Sequence, residues 1–336
     1  MRLRVDWRLA LALVGTILRW LWVPLLLPLA VAVIDGTALG PFLWTMAGTA
    51  VVGLGLEQLH TGSDLGPREA FLTVALAWLA VALGGAVPFV LAGEGVLAAP
   101  VPALFESMSG ITTTGATVVV DFERHARSVM LWRAVLQWLG GLGILVVATA
   151  ILSRLAVGGA QLMETETQAK GFTRLKPRIT ETASILWKLY IGLTGLQVAV
   201  LLGLHLVGLA PEMTPFDAVA HAFTTISTAG FSPRGESIAA FSPAVQWVLI
   251  PFMALGATSF VLLYFVLQGK FHRLRSSEEF RFYVAVLAFF SVAVAGMLVV
   301  EGAPTDGLLE TLRHAAFQVV SIVTTTGYAS TNFDLW

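Results

Sequence analysis

The sequence predicts an all-α polytopic membrane protein built from repeated helix, pore loop, helix units, and three observations carry that expectation. Of 336 residues, 57% are hydrophobic and only 12% charged, where soluble domains hold ~45–50% and ~25%. Seven stretches are long and apolar enough to cross a bilayer, whose ~30 Å hydrocarbon core takes ~20 helical residues. Three segments outside them, two between spans and one after the last, carry the same hydroxyl-rich stretch with one glycine. Backbone at membrane depth has no water to bond, so spans of this length are helices.

The spans fall at roughly 10–34, 40–57, 70–92, 129–153, 183–209, 243–267 and 281–300. Arg2, Arg4 and Arg8 precede the first, and Ala30-Val31-Ala32 resembles a cleavage site. Its apolar run exceeds the ~7–15 residues of a signal peptide and carries Arg19, so it reads as a retained span. Pro24 and Pro28 are expected to kink it by removing backbone donors. The short connections 1–8, 58–69, 154–181 and 269–281 hold 13 of the 20 Lys and Arg residues. Arg124, Arg127, Arg234 and Arg313 lie in the opposite connections. Cations concentrate on the cytoplasmic side, so a multi-pass cell-membrane protein with a cytoplasmic N-terminus is expected.

Formal net charge is -1, without the basic excess that nucleic-acid binding needs. Cysteine is absent, which excludes disulfides, thiolate metal sites and thiol catalysis. His60, His125, His205, His221, His272 and His314 form no pair at metal-ligand spacing. No nucleophile-base-acid set and no phosphate loop occurs, so an enzyme has no support, and no cofactor is implied.

The three special segments read Phe105-Glu-Ser-Met-Ser-Gly-Ile-Thr-Thr-Thr-Gly115-Ala-Thr, Ala220-His-Ala-Phe-Thr-Thr-Ile-Ser-Thr-Ala-Gly230-Phe-Ser and Phe317-Gln-Val-Val-Ser-Ile-Val-Thr-Thr-Thr-Gly327-Tyr-Ala. Aligned on glycine, three columns always hold a hydroxyl: Ser109/Thr224/Ser321, Thr112/Ser227/Thr324 and Thr113/Thr228/Thr325. A fourth is β-branched, Ile111/Ile226/Val323, and a fifth is polar, Glu106/His221/Gln318. The unit of span and half-inserted segment is therefore read three times, with a closing span after the first two. Ahead of each glycine the chain reads as a short helix. Pro102 is expected to open the first, Thr214 to cap the second with Pro215 and Asp217 following, and Thr305 or Asp306 to cap the third. About a dozen residues cannot cross, so these helices enter and stop partway, their negative dipole ends aimed at the membrane centre.

Non-helical chain at that depth survives only where it is buried in protein or lines a wet cavity. Cation coordination is the physical use, because a bare ion in hydrocarbon needs oxygens in place of its lost water. Backbone carbonyls and hydroxyls supply them, and glycine lets the chain turn without a Cβ clash; potassium-channel filters use this design. A polar side chain in the Glu106 column either concentrates cations or hydrogen-bonds the back of the loop. The glycines of Gly140-Gly141-Leu-Gly143 read as close helix packing.

These residues resemble the Trk/Ktr/HKT superfamily of potassium uptake proteins, and within it the TrkH-type pore subunit. Leu131-Trp-Arg-Ala-Val-Leu-Gln-Trp-Leu-Gly-Gly-Leu-Gly-Ile144, Gly158-Gly-Ala-Gln-Leu162, Pro177-Arg-Ile-Thr-Glu-Thr-Ala183 and Thr325-Thr-Gly-Tyr-Ala-Ser-Thr-Asn-Phe-Asp-Leu-Trp336 carry the likeness alongside the loops. The resemblance implies a fourfold pseudo-symmetric pore, here incomplete, because the chain ends just after loop three. It divides the chain into two N-terminal helices (1–66), pore repeat 1 (67–175), pore repeat 2 (176–275) and an incomplete repeat 3 (276–336). The implied function is channel-like potassium uptake. The implied K+-binding filter is Thr113, Thr114 and Gly115; Thr228, Ala229 and Gly230; Thr325, Thr326 and Gly327. Thr112, Ser227 and Thr324 are supporting hydroxyls. A loop-one serine goes with sodium preference in the family, so Gly115 points to potassium. Implied partners are K+, membrane lipid, a homodimer and a cytosolic nucleotide-binding regulator of the TrkA type at the basic linkers, which also serve as topology determinants at lipid heads.

Two rival readings remain beside it. A truncated, non-conducting subunit would act as an assembly or regulatory partner. A secondary transporter of another solute would aim helix N-termini and basic residues at its site, whereas these loops present helix C-termini.

Overall fold

The computed structural model describes residues 5–60, 62, 66–143, 179–302, 307–333 and 336. The second half of the fourth expected span (144–153), the linker 154–178 with its cations, and Arg2, Arg4, Thr305, Asp306 and Asp334 lie outside the described residues.

Among the described residues every regular element is helical. The chain runs α1 (Trp7–Trp20), α2 (Trp22–Asp35), α3 (Leu39–Glu57), α4 (Pro67–Ala92), α5 (Pro100–Ile111), α6 (127–143), α7 (Ile179–Leu206), α8 (Pro215–Ile226), α9 (Pro243–Gly256), α10 (Phe260–Leu267), α11 (Phe271–Ser276), α12 (Glu278–Val300) and α13 (Leu308–Val323). Trp7–Asp35, Leu39–Glu57, Arg68–Ala92, Ser184–Leu206 and Glu278–Glu301 are each long and apolar enough to span. The chain is a multi-pass membrane protein. Buried apolar clusters, such as that of Leu25, Phe42, Phe89, Trp132 and Leu136, lie between the helices, while large apolar side chains also face outward, α12 being the least buried of the spans.

The first span, Trp7–Asp35, is interrupted at Leu21 alone, whose φ of -64° and ψ of -18° stay right-handed. Pro24 has no N–H for the Trp20 carbonyl one turn back, and the chain restarts as α2. The expected span 243–267 is not one rod. α9 and α10 meet at 105°, because α9 stops at Gly256, where it abuts the Thr225 and Ile226 carbonyls at the end of α8. Thr258 then turns its hydroxyl back to the Ala254 carbonyl at 2.8 Å, a bond that competes with helix continuation.

Small residues set how closely the helices cross. A β-carbon at Gly15 would lie 2.7 Å from the Gly53 carbonyl oxygen, so α1 and α3 touch backbone to backbone. On α6, Gly140 packs against the Ile111 carbonyl, Gly141 against Ser227 and the Tyr190 hydroxyl, and Gly143 against Trp78. One glycine face thus lets α6 lie against the ends of both α5 and α8. Trp132 anchors the same helix to α4 through a 2.8 Å bond to the Gly85 carbonyl. Tyr190 on α7 donates to the Trp138 carbonyl at 2.9 Å.

Candidate functional site

Each half-inserted helix is built for a short run and a fixed stop. α8 starts as the sequence predicts: Thr214 caps it, its hydroxyl accepting the Asp217 N–H at 3.2 Å, with Pro215 next. The Asp217 carboxylate accepts from the Thr214 hydroxyl at 2.7 Å and from Arg234 at 2.7 Å. α5 opens at Pro100, two residues earlier than expected, which leaves Pro102 inside a first turn whose N–H groups have no helical acceptor in any case. α13 starts after Gly307.

All three stop in the same way. The N–H groups of Thr114, Ala229 and Thr326 return to the carbonyls of Ser109, Thr224 and Ser321 at 2.9, 2.9 and 2.8 Å. The hydroxyls of Thr112, Ser227 and Thr324 donate to the carbonyls four residues back at 2.7, 2.9 and 2.7 Å. That second hydroxyl column therefore closes the helix ends. Between these bonds Thr113, Thr228 and Thr325 take left-handed backbone, at φ 56°, 51° and 61°. Glycine is the usual occupant of such a stop. For a β-branched residue the region is strained, costing about 1–2 kcal/mol. Two residues on, Gly115, Gly230 and Gly327 are left-handed again, at φ 76°, 76° and 82°. Three sequences separated by about a hundred residues thus share one unusual backbone path.

The loops meet edge to edge in chain order. A β-carbon on Gly115 would overlap the Ala229 carbonyl oxygen, and one on Gly230 would overlap the Thr326 carbonyl oxygen. Gly327 faces no atom within 4 Å. Loop two lies in the middle with Ala229 buried, while Thr112 and Thr114 of loop one and Thr325 and Gly327 of loop three are exposed. The structure thus brings Gly115, Ala229, Gly230 and Thr326 into direct neighbourhood; Thr113, Thr114, Thr228, Thr325 and Gly327 flank them on the same loops.

Behind the loops a polar shell fixes their return strands. Glu106, fully buried, accepts from the Thr117 hydroxyl at 2.8 Å and the Val118 N–H at 3.0 Å. In the same column His221 bonds Ser232 at 3.1 Å and Gln318 bonds Ser330 at 3.4 Å. Of the two uses open to that column, the geometry displays the hydrogen bond to the loop's back. Arg133, 1% exposed, pairs with Glu106 at 2.6 Å, donates to the Ser232 carbonyl at 3.1 Å and lies over the Phe231 ring at 4.2 Å. The Tyr328 hydroxyl of loop three reaches the hydroxyls of Thr224 and Thr225 and the His221 carbonyl.

Arg133, Gln137 and Tyr328 escape a reading based on hydroxyl columns, which finds Thr113, Thr228 and Thr325 but not their left-handed backbone. A charged residue inside an apolar span was the available signal for Arg133, and the invariant Thr113/Thr228/Thr325 column was the signal for the backbone.

A family model for TrkH, a cation transport protein, matches residues 44–336. The chain belongs to the TrkH family. The TrkH potassium uptake protein of Halomonas elongata is 38% identical over 285 residues, covering 84% of this chain and 57% of that protein. Its namesake in Vibrio parahaemolyticus is 34% identical over 343 residues, covering 99% and 68%. The crystal structure of the potassium transporter TrkH from Vibrio parahaemolyticus superposes with a TM-score of 0.83 at 31% identity, over 99% of this chain and 67% of that one. The TrkH relative in Escherichia coli K12 is 36% identical over 276 residues and is spanned to 55% of its length. The chain thus spans little more than half to two thirds of these TrkH proteins.

Proposed function

We propose that this chain supplies three sectors of a potassium uptake pathway, with its N-terminus in the cytoplasm and its loops opening to the outside. The observation that carries this is the repeated left-handed path at Thr113/Thr228/Thr325 and Gly115/Gly230/Gly327, joined loop to loop at two seams. Strained backbone repeated at one topological position is retained for use. Alternating handedness turns successive peptide groups differently from a helix or strand and exposes carbonyl oxygens that neither structure would leave free.

Thr113, Thr114 and Gly115, Thr228, Ala229 and Gly230, and Thr325, Thr326 and Gly327 are the proposed filter residues. Their oxygens replace part of the ion's water shell, except the Ala229 carbonyl, which accepts from the Gln137 amide on α6, and three helix C-termini add negative potential. The membrane potential, ~2.3 kcal/mol per charge per 100 mV, draws the cation inward without a chemical step. It supports an accumulation on the order of fortyfold. The relatives' printed names, potassium uptake proteins, favour K+ over other cations. A homodimer and a cytosolic regulator of the TrkA type belong to the same proposal, drawn from the resemblance.

Rubidium uptake tests it, in cells lacking potassium importers and expressing the chain either alone or extended to the length of its relatives. Flux in at least the extended form, with K+ competing better than Na+, is expected. Gly115→Ser should shift competition toward Na+, because any β-carbon there displaces the Ala229 carbonyl. Absence of flux from both forms contradicts the assignment.

A further inference from the structure

Gln137 lies one turn along α6 from Arg133 and is fully buried. Its Nε2 donates to the Ala229 carbonyl at 2.8 Å, and its Oε1 accepts the Phe231 N–H at 2.9 Å. One side-chain amide therefore brackets Gly230 from both sides. Within a trans peptide the C=O and N–H point in opposite directions. Because the Phe231 N–H faces α6, the Gly230 carbonyl of that same peptide faces away from α6. Because the Ala229 carbonyl is held as well, neither peptide can rotate. Gly230, with φ 76° and no β-carbon, is the joint where such rotation meets least resistance. Arg133 extends the grip by one residue through the Ser232 carbonyl.

Among the described residues this bracket is found on loop two alone. Gly140 and Gly256 occupy matching places against the carbonyls of Ile111 and Ile226, so Met253 on α9 stands where Gln137 stands on α6. A thioether donates no hydrogen bond. Loop three is tied instead through Tyr328.

We propose that Gln137 is a positioning residue that sets the direction of the Gly230 carbonyl and thereby the discrimination of K+ from Na+, without itself touching the ion. The role rests on the potassium reading above. It makes the loop of the second repeat depend on the helix of the first.

The test uses the purified full chain in micelles as wild type, Gln137→Met, which keeps volume and loses both bonds, and Gln137→Glu, which keeps an acceptor for the Phe231 N–H. Hydrogen exchange of the 229–232 segment is followed by mass spectrometry, and thermal stabilisation is titrated with KCl and NaCl. Gln137→Met should speed exchange at Phe231 about tenfold, as expected for one buried hydrogen bond. It should also lower the K+ over Na+ preference about tenfold. Gln137→Glu should exchange more slowly than Gln137→Met. Unchanged exchange in Gln137→Met overturns the bracket. Faster exchange with an unchanged K+ over Na+ preference overturns the selectivity role and leaves a packing residue. A wild type that shows no K+ preference contradicts the potassium reading itself, and the selectivity role falls with it.

Discussion

Gly230 stands against the carbonyl oxygen of Thr326 so closely that no side chain fits between them. Gly115 stands in the same relation to Ala229. Each seam is thus a glycine α-carbon set on the carbonyl just before the next loop's glycine. The repetition of this contact, rather than any single residue, defines the site.

Alanine at the three glycines should therefore have graded effects. At Gly327 a β-carbon meets nothing within 4 Å, so only the left-handed backbone is penalised, about 1–2 kcal/mol. At Gly115 and Gly230 the β-carbon also overlaps a backbone carbonyl that must be displaced to admit it, which adds about 1–3 kcal/mol. Thermal or denaturant unfolding of the three variants checks the order. Equal losses at all three would mean the loops do not touch.

The buried pair of Arg133 and Glu106 should behave as a unit. Arg133→Met leaves the Glu106 carboxylate without its cation in a site that is 0% exposed, a change that costs about 3–5 kcal/mol. Adding Glu106→Gln should recover part of that loss, since no charge then remains uncompensated. A double-mutant cycle in unfolding free energy measures the coupling. Additive single effects would show that the two side chains do not interact.

His125, in the connection between loop one and α6, gives a pH dependence with a definite sign. Burial holds its imidazole below the ordinary 6.5, and the opposing pull of Glu94 is weaker. Between the folded and unfolded pKa values the unfolded chain binds more protons, so stability rises with pH there. The contribution is complete above about pH 6.5 and is lost as pH falls through the folded value. Melting curves across pH 5 to 8 should show this slope in the wild type and a flatter one in His125→Gln. An unchanged slope would assign it to another group.

Much of this was readable in the residues. The glycine-aligned columns located all three loops, and Thr214-Pro215 located the start of α8, because local capping chemistry decides such features. What stayed hidden depends on contacts distant in sequence. Gln137 reads as one more polar residue on an apolar helix until α6 is laid against Ala229 and Phe231, 92 and 94 residues away. The 105° bend after Gly256 was equally silent, because hydropathy runs unbroken through 243–267 and only the packing against the end of α8 stops the helix. The left-handed threonines were masked by propensity, which disfavours that backbone for β-branched residues.

On the proposed function the three loops share one axis and offer their oxygens to a dehydrated monovalent cation. Anomalous diffraction from crystals grown in a rubidium salt tests it most directly. A peak is expected beside the seams, ringed by oxygens of the 113–115, 228–230 and 325–327 segments. A map with no peak there, or with rubidium bound only at carboxylates elsewhere, would contradict it.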